Sequence, residues 1–128
     1  MSSEWTDKRP MSPHLQVWRW HGAMMSSILH RASAIICYVA LLIVAVGLVA
    51  IAVTGEIPLP GLVFSPLGAI GLFVFLFAFI FMAFAQLRHA IWNRGSFFNP
   101  ETNNLLSYIM IAVAILLAAA LTVVGVAL

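Results

Sequence analysis

Ser27, His30 and Arg31 lie at the start of a long apolar run, and Arg88 and His89 close a second one. Ser27 and Arg31 are four residues apart, so on a helix they share a face one turn from each other, with His30 on its flank. A hydroxyl and a guanidinium both donate hydrogen bonds to a carbonyl or anionic oxygen, and an imidazole supplies or shuttles a proton near neutral pH. Such a patch can bind a quinone carbonyl, or a lipid or haem carboxylate. It can equally be ordinary membrane architecture, with Arg31 an orientation signal and Ser27 bonded back to its own helix. Arg88 and His89 are adjacent and point about 100° apart on a helix, so together they bracket an anionic group across a helix end rather than line one face. Their plainer reading is an interfacial arginine beside a histidine bonded to a backbone carbonyl. His14 and His21, ahead of the first run, read as surface or docking residues.

The elements that must position these groups are membrane spans. Of the 128 residues 63% are hydrophobic and 8% charged, a composition far from that of a soluble domain. Residues 32–53 carry no charge and reach roughly 33 Å as a helix, enough to cross the hydrocarbon core. Span two runs from Leu67 to Leu87 and span three from about Leu105 to Leu128, with Trp92 suited to the interface. Gly55, Pro58, Pro60, Gly61 and Pro66 make residues 54–66 a loop, and Gly95, Asn99 and Pro100 mark a turn whose residues 99–101 offer caps for the third helix. The expected fold is therefore all-α, one membrane domain over residues 1–128: a segment 1–23, then helices over 24–53, 67–92 and 103–128.

All six basic residues, Lys8, Arg9, Arg19, Arg31, Arg88 and Arg94, fall ahead of the first span or at the end of the second. Basic residues stay on the inner face, so the N-terminus is expected inside and the C-terminus outside. The net charge of +2 is thus an orientation signal, and no nucleic-acid partner is implied. Residues 1–20 lack the order of a secretory signal peptide or a transit peptide, which favours a bacterial inner membrane over a mitochondrial one. Cys37 is the single cysteine, so no internal disulfide or cysteine-based metal site exists. No span carries Asp or Glu, which counts against a proton-driven transporter or a channel subunit. Walker A, HExxH and CxxCH motifs and paired carboxylates are absent too, so catalysis by this chain alone is not expected.

Three strings coincide with one family. Arg9-Pro10 with Ser12-Pro13-His14-Leu15-Gln16-Val17, then Ser27-Ile28-Leu29-His30-Arg31, then Leu87-Arg88-His89-Ala90-Ile91-Trp92-Asn93 closely resemble the cytochrome b556 membrane-anchor subunit of succinate dehydrogenase. Order, spacing and the three spans all agree, although span three matches only in hydrophobicity. The resemblance implies a complex with a flavoprotein subunit, an iron-sulfur subunit and a second membrane-anchor subunit. In it, electrons from succinate, in the tricarboxylic acid cycle, pass to ubiquinone. It implies that Ser27 and Arg31 line the quinone pocket, that His30 serves as a proton relay or pocket residue, and that Arg88 and His89 contact haem propionates. It also implies a haem b shared with the second anchor. At the family's haem-ligating histidine, seven residues before His89, this chain has Met82. A thioether can ligate haem iron, and a methionine in an apolar span can equally be simple packing. Gln86 stands where the family commonly has a small residue. The alternative to a quinone-site subunit is a purely structural anchor that docks a soluble redox partner.

Overall fold

The computed structural model describes residues 19–95 and 99–127. They form α1 (Gly22–Thr54), a single turn α2 (Pro60–Val63), α3 (Pro66–Trp92) and α4 (Pro100–Ala127). The three long helices are long and apolar enough to cross a membrane, and no strand occurs among the described residues.

Each boundary has a local cause. α1 ends at Gly55, whose φ of 74° is the left-handed conformation of a helix C-cap and whose N–H donates to the Ile51 carbonyl at 2.8 Å. α3 starts with Pro66 in its first turn behind Ser65, whose Oγ accepts from the Gly68 N–H at 3.3 Å. α4 begins at Pro100, earlier than the expected residue 103, because Asn99 Oδ1 accepts from the Glu101 N–H at 3.2 Å and Glu101 favours the positive end of the helix dipole. α1 likewise starts at Gly22 rather than 24. The segment 54–66, expected as loop throughout, contains the turn α2, for which Pro60 presets the backbone after Leu59 at φ 50°. The expected inner segment 1–23 falls outside the described residues as far as residue 18.

The three long helices pack against one another along a seam of mostly small residues. α1 buries Gly22, Ser26, Ser33 and Cys37; α3 buries Ala78, Phe81, Ala85 and Arg88; α4 buries Ser107, Met110, Ala114 and Ala118. The intervals of three, four and seven keep each set on one face. Small residues allow close backbone approach where lipid offers no hydrophobic drive for association. The remaining apolar surface, including Ile35, Leu42, Val49, Phe79 and Leu116, faces outward, as it must in a bilayer. At the end where α1 finishes, an apolar groove of about 460 Å³ lies between Val44, Gly47 and Ile51 of α1 and Leu59 and Leu62. The polar groups gather at the opposite end.

Candidate functional site

Arg88 is the centre of that polar end. It sits on the buried face of α3, where the interval from Ala78 through Phe81 and Ala85 carries it inward, and it is only 6% exposed. Its Nη1 donates to Ser107 Oγ of α4 at 2.8 Å and its Nη2 to Ser26 Oγ of α1 at 2.9 Å. One guanidinium thus joins all three helices. Each hydroxyl passes its own proton back to its helix, Ser26 to the Ala23 carbonyl at 3.1 Å and Ser107 to the Asn103 carbonyl at 2.8 Å. The planar fork of arginine suits this two-pronged task, and a lysine would reach one hydroxyl at a time. The guanidinium also lies over the Trp92 ring, 4.6 Å from its centre, a cation–π contact that offsets part of the cost of burying the charge.

A second contact fixes α1 against α4. The N-terminal N–H groups of a helix lack internal partners, and His21 at the cap makes no side-chain bond to them. Asn104 supplies the missing acceptor from α4, its Oδ1 receiving the Ala23 N–H at 3.1 Å. Gly22 permits the approach: a Cβ there would stand 2.9 Å from the Tyr108 ring.

From Trp92 a column of rings runs back to α1. His89 stacks on Trp92 at 5.5 Å, and His30 stacks on His89 at 5.9 Å. His30 is half-buried and His89 exposed. Among the described residues, His30 Nε2, Trp92 Nε1, Arg88 Nε and Asn103 Oδ1 are buried without a hydrogen-bond partner, a concentration of unmet polar atoms at this end.

The residues expected to carry function therefore divide. Ser27 and Arg31 are exposed on the side of α1 turned away from the bundle. Arg88 and His89 separate as their 100° offset requires, the arginine inward and the histidine outward. Met82 is half-buried and Gln86 exposed on α3. His14 falls outside the described residues, and His21 Nδ1 lies 3.3 Å from the Arg19 carbonyl oxygen. Ser26, Ser107 and Asn104 are the residues that sequence reasoning passed over. The signal for Ser26 was its interval of seven from Ser33, which places it on the small-residue seam. No cluster of three His, Cys, Asp or Glu suited to a metal ion occurs among the described residues.

The profile of the succinate dehydrogenase/fumarate reductase transmembrane subunit matches residues 6–121, nearly the whole chain. The chain belongs to that family. A comparison with curated proteins found no match. As a succinate dehydrogenase/fumarate reductase transmembrane subunit, the chain is a multi-pass membrane protein whose partners are the other subunits of that complex and the lipid bilayer. Family membership explains the apolar exterior. It also gives the exposed polar groups at one end of the bundle a reason to be there, since an anchor must meet its soluble subunits at a membrane face.

Proposed function

We propose that this subunit helps form the quinone-reduction site of a succinate:quinone oxidoreductase, with Ser27 and Arg31 binding ubiquinone and His30 supplying protons. The observation that carries this reading is the contrast between adjacent serines. Ser26 is satisfied inside the bundle, whereas Ser27 and Arg31 are exposed on one face with no hydrogen bond among the described residues. Reduction of a quinone takes two electrons and two protons. The iron-sulfur subunit, itself supplied by the flavoprotein, delivers the electrons. Arg31 and Ser27 donate to a quinone carbonyl oxygen, and the positive guanidinium favours the negative charge that builds there on reduction. His30, whose Nε2 is buried with no partner among the described residues and whose ring lies on the exposed His89, passes protons from the aqueous side. In this reading the membrane is a bacterial inner membrane, with this end and the N-terminus inside, as the clustering of basic residues favours, and the C-terminus outside.

A haem b shared with the second anchor does not fit these residues, and no step of the reading passes through one. Two of the five guanidinium N–H groups of Arg88 are engaged by serine hydroxyls inside the bundle, so the expected propionate contact rests on the remaining N–H groups of a buried side chain and on the exposed His89. The imidazoles of the described spans, His30 and His89, are stacked on each other at the bundle end. At the expected axial position the chain offers only the Met82 thioether, in a span where methionine serves as packing.

The test uses the assembled complex. Replacing Arg31 or Ser27 by Ala is expected to depress succinate:quinone reductase activity about tenfold, the size of one lost charge-assisted hydrogen bond, while succinate oxidation by an artificial dye stays intact. Unchanged activity in both assays would remove the quinone assignment. Loss of assembly in place of turnover would show that the polar end only docks the soluble subunits.

A further inference from the structure

We infer that Arg88 and Ser26 are positioning residues that set the rotation of α1 and so present Ser27 and Arg31 to the quinone; the inference rests on the quinone assignment above. Ser26 and Ser27 are neighbours on a helix, so the inward direction of one fixes the outward direction of the other, 100° away. Ser26 is 1% exposed and receives Arg88 Nη2 at 2.9 Å, the one hydrogen bond between α1 and α3 among the described residues. The other polar tie on α1, from the Ala23 N–H to Asn104, holds the backbone at the first turn and constrains rotation less than a side chain gripped on the buried face. The rest of the α1 seam, Gly22, Ser33 and Cys37, consists of small residues; Gly22 meets the Tyr108 ring of α4 and resists turning at the first turn, which leaves Ser26 as the polar grip on α3.

The lever arm is short and the tolerance shorter. Side-chain tips lie about 5 Å from a helix axis, so a turn of about 30° displaces Ser27 Oγ and the root of Arg31 by roughly 2.5 Å. A hydrogen bond is lost over that distance, and misplacement by about 1 Å can cost about 100-fold in rate. Arg88 is buried and holds Ser26 and Ser107 inside the bundle, so its effect on quinone chemistry would run through α1.

The test is Ser26→Ala against Ser107→Ala in the purified four-subunit complex. Each removes one hydroxyl from the same guanidinium, but only Ser26 is on α1. Ser26→Ala is expected to raise the KM for a short-chain ubiquinone about tenfold, with dye-coupled succinate oxidation unchanged. Ser107→Ala, which removes one hydroxyl from the same guanidinium, is expected to lower thermal stability about as much as Ser26→Ala does and to leave that KM at its original value. Arg88→Met should reproduce the Ser26→Ala rise, and the double variant should add nothing further. If Ser26→Ala fails to assemble, Ser26→Cys, which keeps the volume and weakens the acceptor, is read in the same assay for a smaller rise. An unchanged KM in the Ser26 variant, or an equal rise in Ser107→Ala, overturns the inference. Ser27→Ala and Arg31→Ala, run in parallel, separate the two failures. If they raise KM and Ser26→Ala does not, only the positioning role falls; if they too are silent, the quinone assignment falls.

Discussion

The His30 ring stacks on the His89 ring at 5.9 Å between centres, joining the first turns of α1 to the last turns of α3. This pairing brings two sequence strings, about sixty residues apart, to one end of the bundle. Behind it, Trp92 and Arg88 continue the contact to the buried serines, so the exposed and interior halves of the polar end are mechanically continuous.

Truncating Arg88 to Ala should leave the Ser26 and Ser107 hydroxyls without their donor and open a cavity among three helices. The expected loss is about 3 kcal/mol in stability. Arg88→Met fills much of the same volume without a buried charge and should lose markedly less. Thermal unfolding of the purified complex distinguishes the two, and equal losses would show that the filled volume contributes nothing and that the cost lies in the lost guanidinium hydrogen bonds.

Gly22→Leu should drive α1 away from α4, because even a Cβ at this position would stand 2.9 Å from the Tyr108 ring. Combining it with Tyr108→Ala should recover part of the lost stability, since the nearer obstacle is then gone and only the Asn104 carbonyl, 3.2 Å from such a Cβ, remains. A double variant no better than Gly22→Leu would place the conflict elsewhere.

Asn104→Ala should cost about 1 kcal/mol, the usual worth of a helix N-cap, because it removes the acceptor for the Ala23 N–H. Asn104→Asp retains an oxygen in the same place and should stay close to the original stability. The comparison checks that a residue on one helix caps another.

Arg31→Lys keeps the charge but loses the planar fork. It should raise the quinone KM a few-fold, between the original and Arg31→Ala. A Lys variant as impaired as the Ala variant would assign the role to hydrogen-bond geometry alone, which steady-state kinetics with a soluble quinone analogue resolves.

A reduced-minus-oxidised optical spectrum of the purified complex is expected to lack a b-type band, given Met82 at the expected axial position. Met82→Leu should accordingly leave both spectrum and quinone kinetics as they were. A b-type band that disappears in Met82→Leu would establish thioether ligation.

The three spans were legible because hydrophobic composition over about twenty residues is a one-dimensional property, and their ends to within a few residues because Gly55, Pro66, Asn99 and Pro100 act through local geometry. The grouping of His30 with His89 at one end followed from counting spans. By itself the sequence also determined that Ser27 and Arg31 share a helix face and that Arg88 and His89 do not, since helical periodicity settles both. Only the tertiary structure decided which way those faces point. Whether Ser26 or Ser27 turns inward, and whether Arg88 or His89 is buried, depends on how three helices rotate about their own axes to bring small residues into contact. Asn104 capping α1 from α4 is a matter of the same packing. That rotation is set by contacts between residues as far apart as Ser26 and Ser107, joined through one guanidinium, which local periodicity does not encode.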